Sequence, residues 1–294
     1  MSESGKRLIV NADDYGTSPG VSQGILEAHL KGIVSSTSVM ISGDEVETAL
    51  EEALQTAPTL GLGLHFTLSG DTCKPILPTD QIPSLLRGDG TFYPFAAWLE
   101  HYPQFDDDEI RQEMIAQCER FIALTGKPPD HLDAHHHSAY RHPAGLQALF
   151  DLAAQYGIPV RNVGFSATDK AHNEAVLDDL LGAIEGEAAS VSRTAIRALL
   201  EKAHAPWPDR FEAGFYDATA TLGDLLLILT TLAANSLTEL MCHPGYNDMQ
   251  LINDYKAKRE DELAALTARS AREVLAAEGI GLVTYRALHA QAAP

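Results

Sequence analysis

The sequence predicts an α/β fold, a single TIM-like (β/α) barrel with room for irregularity, spanning residues 1–294. Three observations lead there. Short apolar runs alternate with amphipathic stretches along the whole chain, in about seven or eight units, near the number such a barrel requires. No internal repeat, low-complexity linker or break in composition divides the sequence. Ionisable residues also stand at the C-terminal end of one apolar run after another: Asp13 and Asp14, His65, His135 and His243. Parallel α/β folds build their sites at those strand ends.

The elements follow in order. Residues 8–10 form a short buried strand leading into Asn11-Ala12-Asp13-Asp14-Tyr15-Gly16. The two carboxylates fit either a site or a helix cap followed by a turn, since Asp favours caps too. Val21, Ile25, Leu26, Ala28 and Leu30 recur at helical spacing over 20–31, and Gly32 stops that helix. Residues 33–41 read as a second strand and 44–57 as an acidic helix. Residues 60–68 make a third strand whose glycines permit close backbone packing. His65 is the one ionisable residue in it, and fits either a hydrogen-bonded core position or a site. Residues 69–105 carry several prolines and glycines with Phe92, Tyr93, Phe95, Trp98 and Tyr102, and are too long for a routine connection. They form either a lid or a surface excursion with its own apolar cluster.

Residues 106–109 are acidic and open a helix whose apolar stripe runs through Ile110, Met114, Cys118, Phe121 and Ile122 to a stop at Gly126. Residues 144–156 are helical, capped by Gly157, and 158–163 read as a strand carrying Arg161, a site residue or a surface charge. A second insertion covers 164–215, with a helix near 190–204; His172 and His204 there read as surface. Residues 211–216 suggest a short strand and 222–234 an apolar helix. Residues 237–243 form a strand that ends in His243 before a Pro-Gly turn. One long helix over 256–278, mixed in charge on its exposed side, precedes a last strand at 280–285.

Residues 131–137 read His-Leu-Asp-Ala-His-His-His, bounded by Gly126, Pro128 and Pro129 before and Pro143 after. Such breakers favour a short strand. Strand alternation would put His131, Asp133, His135 and His137 on one face. Three imidazoles and a carboxylate make a poor core, and His-rich tracts often bind metals.

Composition narrows the function. A formal net charge of −20 repels nucleic acid and anionic membrane surfaces and suits a neutral or cationic substrate. Three cysteines without close pairing point to a reducing compartment. No apolar run approaches the roughly 18 residues of a membrane span, and the one before Asn11 is too short for a signal-peptide core. A cytoplasmic protein is expected. A carboxylate with two imidazoles is a common three-ligand set for a catalytic divalent metal with open positions. Nitrogen ligands suit Zn²⁺ and the carboxylate suits Mg²⁺. Such a metal acidifies water and polarises a carbonyl. A spare carboxylate could take the water's proton, and an opposed histidine could protonate a leaving amine. That division of labour describes amide hydrolysis.

Four segments, Asn-Ala-Asp-Asp-Tyr-Gly (11–16), Gly-Leu-His-Phe-Thr-Leu (63–68), His-Leu-Asp-Ala-His-His-His (131–137) and Met-Cys-His-Pro-Gly (241–245), resemble in order the motifs of the YdjC-type carbohydrate deacetylases. Gly-Ile-Val-Ser-Ser-Thr (32–37) also fits. That family includes chitooligosaccharide deacetylase and a hopanoid-biosynthesis-associated member. The resemblance implies a glycoside hydrolase/deacetylase type of barrel. The activity it implies is metal-dependent removal of an N-acetyl group from an amino sugar or oligosaccharide, with release of acetate. Carried over, Asp14, His65 and His135 hold one divalent ion, Mg²⁺ or Zn²⁺. Asp13 is the general base and His243 the general acid. Asp133, His137 and Arg161 orient those groups or meet substrate. Members are often homodimers. Where the family often continues its third motif with Val-His, this chain has Ser138-Ala139, and its 164–215 region is longer than in compact members. The alternatives are another metal-dependent hydrolase on the same barrel, an amidohydrolase or phosphoesterase, or a non-catalytic sugar-binding protein.

Overall fold

Seven strands run parallel in one curled sheet in the computed structural model, which describes residues 5–70, 73–166, 169–184, 186–248 and 255–289. They are β1 (Arg7–Tyr15), β2 (Ser36–Val39), β3 (Gly61–Phe66), β4 (Leu132–Ala134), β5 (Arg210–Glu212), β6 (Leu237–Cys242) and β7 (Gly281–Leu282). Their order is β4-β3-β2-β1-β6-β5, with β7 also on β1. Around them lie α1 (Pro19–Lys31), α2 (Val46–Thr56), α3 (Phe95–His101), α4 (Asp107–Thr125), α5 (Ser138–Arg141) and α6 (Pro143–Tyr156). Then come α7 (Lys170–Leu181), α8 (Gly186–Lys202), α9 (Leu222–Thr231), α10 (Lys256–Thr267), α11 (Arg269–Ala277) and α12 (Arg286–His289).

The expected TIM-like barrel, with its room for irregularity, is realised as a curled half-barrel. Among the described residues no ladder joins β4 to β5. The predicted strand over 158–163 is a single bridge, Val160 to Leu132. The Val160 N–H donates onward to Pro206 O at 3.0 Å, and Asn162 Nδ2 donates to Pro208 O at 3.1 Å. Isolated contacts thus span the gap. Pro159, Pro206 and Pro208 explain part of this, because proline has no N–H to give a ladder.

Alternation along β1 divides its side chains. Leu8, Val10 and Ala12 join the main core, a contiguous cluster reaching from Leu8 to Ile280. Ile9 faces the other way and packs with Leu237, Tyr285 and Leu288. Asn11 and Asp13 follow Ile9 on the same face of the strand. Gly63 of β3 is required beside them: a Cβ there would lie 2.1 Å from the His131 ring.

Several boundaries differ from expectation. The long helix over 256–278 breaks at Ala268, whose ψ of 138° is not helical. The last strand has two residues. The 69–105 stretch is tied down: Glu113 of α4 accepts from the N–H groups of Ile76 and Leu77 at 2.9 and 3.0 Å. Ile82, Leu85, Leu86, Phe92, Trp98 and Tyr102 of that stretch are buried in the main core. As expected, α4 carries Asp106 as its cap, accepting from Asp108 and Glu109, and ends in left-handed Gly126.

Candidate active site

The C-terminal end of β1 brings two adjacent carboxylates to one place, which a regular strand cannot do. The register against β2 shifts between Ala12 and Tyr15, and Asp14 adopts φ 74°. This bulge defeats alternation, so Asp13 and Asp14 both approach His65 Nε2 of β3, at 3.9 and 3.5 Å. A left-handed aspartate is costly backbone that persists only where its surroundings fix it.

The His-rich segment does not continue as a strand beyond Ala134. His136 and His137 take φ 54° and 52°, and the chain turns. The face predicted to gather His131, Asp133, His135 and His137 is therefore broken up. His131 stacks on Tyr285, centroids 3.8 Å apart. His135 reaches Asp14 Oδ1 with its Nδ1 at 3.1 Å. His136 meets Phe95 and Ser69 Oγ. His137 packs edge-on against Tyr140 and Phe211, and burial pushes its imidazole down to about 3.

Among the described residues, two overlapping groups have atoms close enough to hold an ion, all within 4.8 Å: Asp14, His65 and His135, and Asp13, His65 and Asp133. The hydrogen bonds favour the first. Arg161 clamps Asp13 with two bonds of 2.8 and 2.6 Å and lies 3.0 Å from Asp133. Asp133 also sits 2.7 Å from His65 Nδ1. A carboxylate on Nδ1 keeps a proton there and turns Nε2 toward Asp14. Asp14 Oδ2 accepts from Arg259 at 2.5 Å, while Asp14 Oδ1 is buried with no hydrogen-bond donor of good geometry. An orphaned carboxylate oxygen facing two ring nitrogens fits a divalent cation in donor type and count.

The electrostatics agree. Burial pushes Asp14 up, but Arg259 and then His135 outweigh it and hold the carboxyl well below its usual range. Burial likewise raises Asp13, and Arg161 and His65 bring it below the ordinary value. Burial alone would lower His65, yet Asp133 and Asp13 lift it to about 10. So many anions around one imidazole call for positive charge at this spot. His243, just past β6, lies 4.0 Å from Asp13 Oδ2 through Nε2. Burial holds it down at about 4 despite Asp13 and Asp14.

Arg161 is fully buried, and its Nε donates to Glu239 Oε1 at 2.8 Å. Glu239 also receives the Tyr285 hydroxyl. Asn11 and Ser38 complete the network: Asn11 Nδ2 donates to Asp13 Oδ1 at 2.8 Å and Ser38 Oγ to Asp133 Oδ2 at 2.6 Å. Sequence reasoning missed Glu239, Arg259 and Glu262. Glu239 carried a signal, a lone carboxylate inside an apolar strand. Arg259 and Glu262 sit one turn apart on α10, a helix face read as exposed, yet both are buried. Glu262 accepts the His243 N–H and lies 3.9 Å from His243 Nδ1.

Fold and site together define a parallel α/β protein with a carboxylate–imidazole cage at the C-terminal rim of its sheet. The chain belongs to the YdjC-like protein family, whose model matches residues 7–277. A carbohydrate deacetylase of Enterococcus faecalis is 32% identical over 289 residues, covering 97% of this chain and 99% of that one. A chitooligosaccharide deacetylase of Proteus mirabilis is 33% identical over 284 residues, 96% and 98% of the two chains. The crystal structure of an Enterococcus faecalis V583 protein named for cellobiose-phosphate cleavage superposes with a TM-score of 0.79 at 31% identity, covering 97% of this chain and 99% of that one. No helix among the described residues is long and apolar enough to cross a membrane.

Proposed function

We propose that this chain is a divalent-metal-dependent N-deacetylase that hydrolyses the acetamide of an N-acetylated amino sugar or oligosaccharide and releases acetate. The carrying observation is the orphaned Asp14 Oδ1 between His65 and His135, with Asp13 and His243 alongside. Asp14, His65 and His135 would hold one ion, Mg²⁺ or Zn²⁺. When bound, it supplies Lewis acidity toward a carbonyl oxygen and acidifies water.

The protein's own groups do the proton work. A carboxylate has about four acceptor positions. On Asp13, Oδ1 takes Arg161 and Asn11, whereas Oδ2 takes only Arg161. The remaining position on Oδ2 is the general base for the attacking water. His243 rests neutral at pH 7, so it must be charged before it can act as an acid. Asp13 Oδ2, 4.0 Å from its Nε2, is the near source of that proton, and His243 then delivers it to the departing amine. Asp133 fixes the His65 tautomer, and Arg161 orients Asp13. A phosphoester substrate suits this site less: Arg161 and Arg259 are already paired with carboxylates. The chain works as one catalytic domain with insertions near 69–105 and 164–215, in the cytoplasm, where Cys118 and Cys242 remain buried thiols.

The test is acetate release from N-acetylglucosamine oligomers by metal-loaded protein, set against phosphoesters and cyclic amides. Activity is expected to vanish with chelator and return with a divalent ion. Full activity of metal-stripped His135→Ala protein would end this reading.

A further inference from the structure

Tyr216 is the only aromatic among the exposed large apolar side chains of the described residues, with 46% of its surface open. It stands at the site: its ring lies 5.5 Å from that of His243, at 70°. One of its faces is stacked on Tyr255, centroids 4.3 Å apart and 3° from parallel, with Arg259 over the Tyr255 ring at 5.8 Å. Among the described residues no third ring lies against Tyr216, and nearly half of its surface is open.

The ring is held in place by the same carboxylate that holds His243. Glu262 accepts the His243 N–H and the Tyr255 hydroxyl. The Tyr255 hydroxyl in turn accepts the Asp217 N–H at 3.0 Å. Thr219 N–H donates to Tyr216 O at 3.1 Å, and Asp217 sits in the left-handed region at φ 52°. A ring fixed in advance loses little freedom when a ligand covers it. An open aromatic face carries no formal charge and a partly negative π surface. It suits the flat apolar C–H face of a pyranose, whose hydroxyls stay at the rim.

We propose that Tyr216 is a substrate-positioning platform: a pyranose ring of the substrate lies on its open face, which presents the acetamide to His243 and the Asp14 cage. The choice of an N-acetylated sugar rests on the function proposed above.

The test is calorimetric titration of N,N′-diacetylchitobiose into the full chain in an Asp13→Asn background, which prevents turnover. Tyr216→Ala is expected to bind about tenfold more weakly, the loss of one covered apolar face. Tyr216→Leu should be equally weak, and Tyr216→Phe and Tyr216→Trp should bind as tightly as the parent. In the Asp13-containing protein the same set should raise KM while moving kcat less. Unchanged affinity in Tyr216→Ala, recovery in Tyr216→Leu equal to that in Tyr216→Phe, or no sugar binding by the parent would each overturn the platform. Ring-dependent binding without acetate release by the Asp13 protein would leave the platform standing and remove the deacetylase reading.

Discussion

Asp13 and Asp14 are chain neighbours of the same residue type, 2% and 3% exposed, and their surroundings differ in one decisive way. Asp13 is nearly saturated with donors, with one acceptor position left on Oδ2. Asp14 has one oxygen on Arg259 and the other bare, facing two imidazoles. A nearly saturated carboxylate is oriented and keeps its charge, which suits a base. A half-satisfied one needs a cation. Two arginines, distributed one to each carboxylate, give one residue type two different settings.

The largest expected effect tests that division directly. Asp13→Asn and Asp14→Asn should each lower kcat/KM by about 10²–10⁴-fold. Only Asp14→Asn should also lose the bound divalent ion, measured by elemental analysis after gel filtration. Equal metal content in the two variants would erase the distinction drawn here.

Next comes stability. Arg161→Met leaves Asp13, Asp133 and Glu239 buried without their shared counter-charge. A loss of about 3–5 kcal/mol is expected in denaturant unfolding, and a loss well below that would mean the cluster relaxes by taking up protons. Arg259→Met should cost less, about 1–3 kcal/mol for one unsatisfied buried group. Its cost should shrink when a divalent ion is present, because an ion held by Asp14 would also neutralise it. Melting temperatures with chelator and with metal check this; an equal loss in both would argue that Arg259 does not share Asp14 with a cation.

Asp130 provides a peripheral control and the smallest effect. It accepts two 2.9 Å bonds from Arg286 and one from Leu62 N–H. Burial raises its carboxyl, but the Arg286 hydrogen bonds and the Leu62 N–H bring it below the ordinary value. A carboxyl lowered in the folded state stabilises fully above its unfolded pKa and loses that contribution as pH falls through the folded value. Arg286 is 45% exposed, so screening limits the pair to below about 1 kcal/mol. The melting-temperature gap between the parent and Asp130→Asn should therefore be present at neutral pH and close in acid. A gap that widens in acid would reverse the assigned sign.

What was legible in the sequence follows from burial. Residues 8–10 lead into Asp13 and Asp14, and the apolar runs 60–68 and 237–243 contain or end in an ionisable residue, which needs a partner wherever it is placed. That pattern exposed Asp13, Asp14, His65 and His243 without any coordinates. The histidine run was legible in composition and misread in geometry. Alternation assumed φ in the extended region, and left-handed His136 and His137 send three neighbouring imidazoles to three different surroundings. Arg259 and Glu262 were illegible because a charged helix face is buried only if another part of the chain covers it, here the end of β6 with His243.

The amino-acid order by itself determined the parallel α/β rhythm and which residue types could do chemistry, because hydrophobic spacing and charge within apolar strands are local properties. The tertiary structure alone decided that no ladder joins β4 to β5 among the described residues and that Asp13 and Asp14 reach the same imidazole. It also gave one carboxylate an arginine fork and left the other an oxygen bare. Those outcomes depend on a strand bulge and on distances between segments far apart in the chain, and no local pattern encodes them.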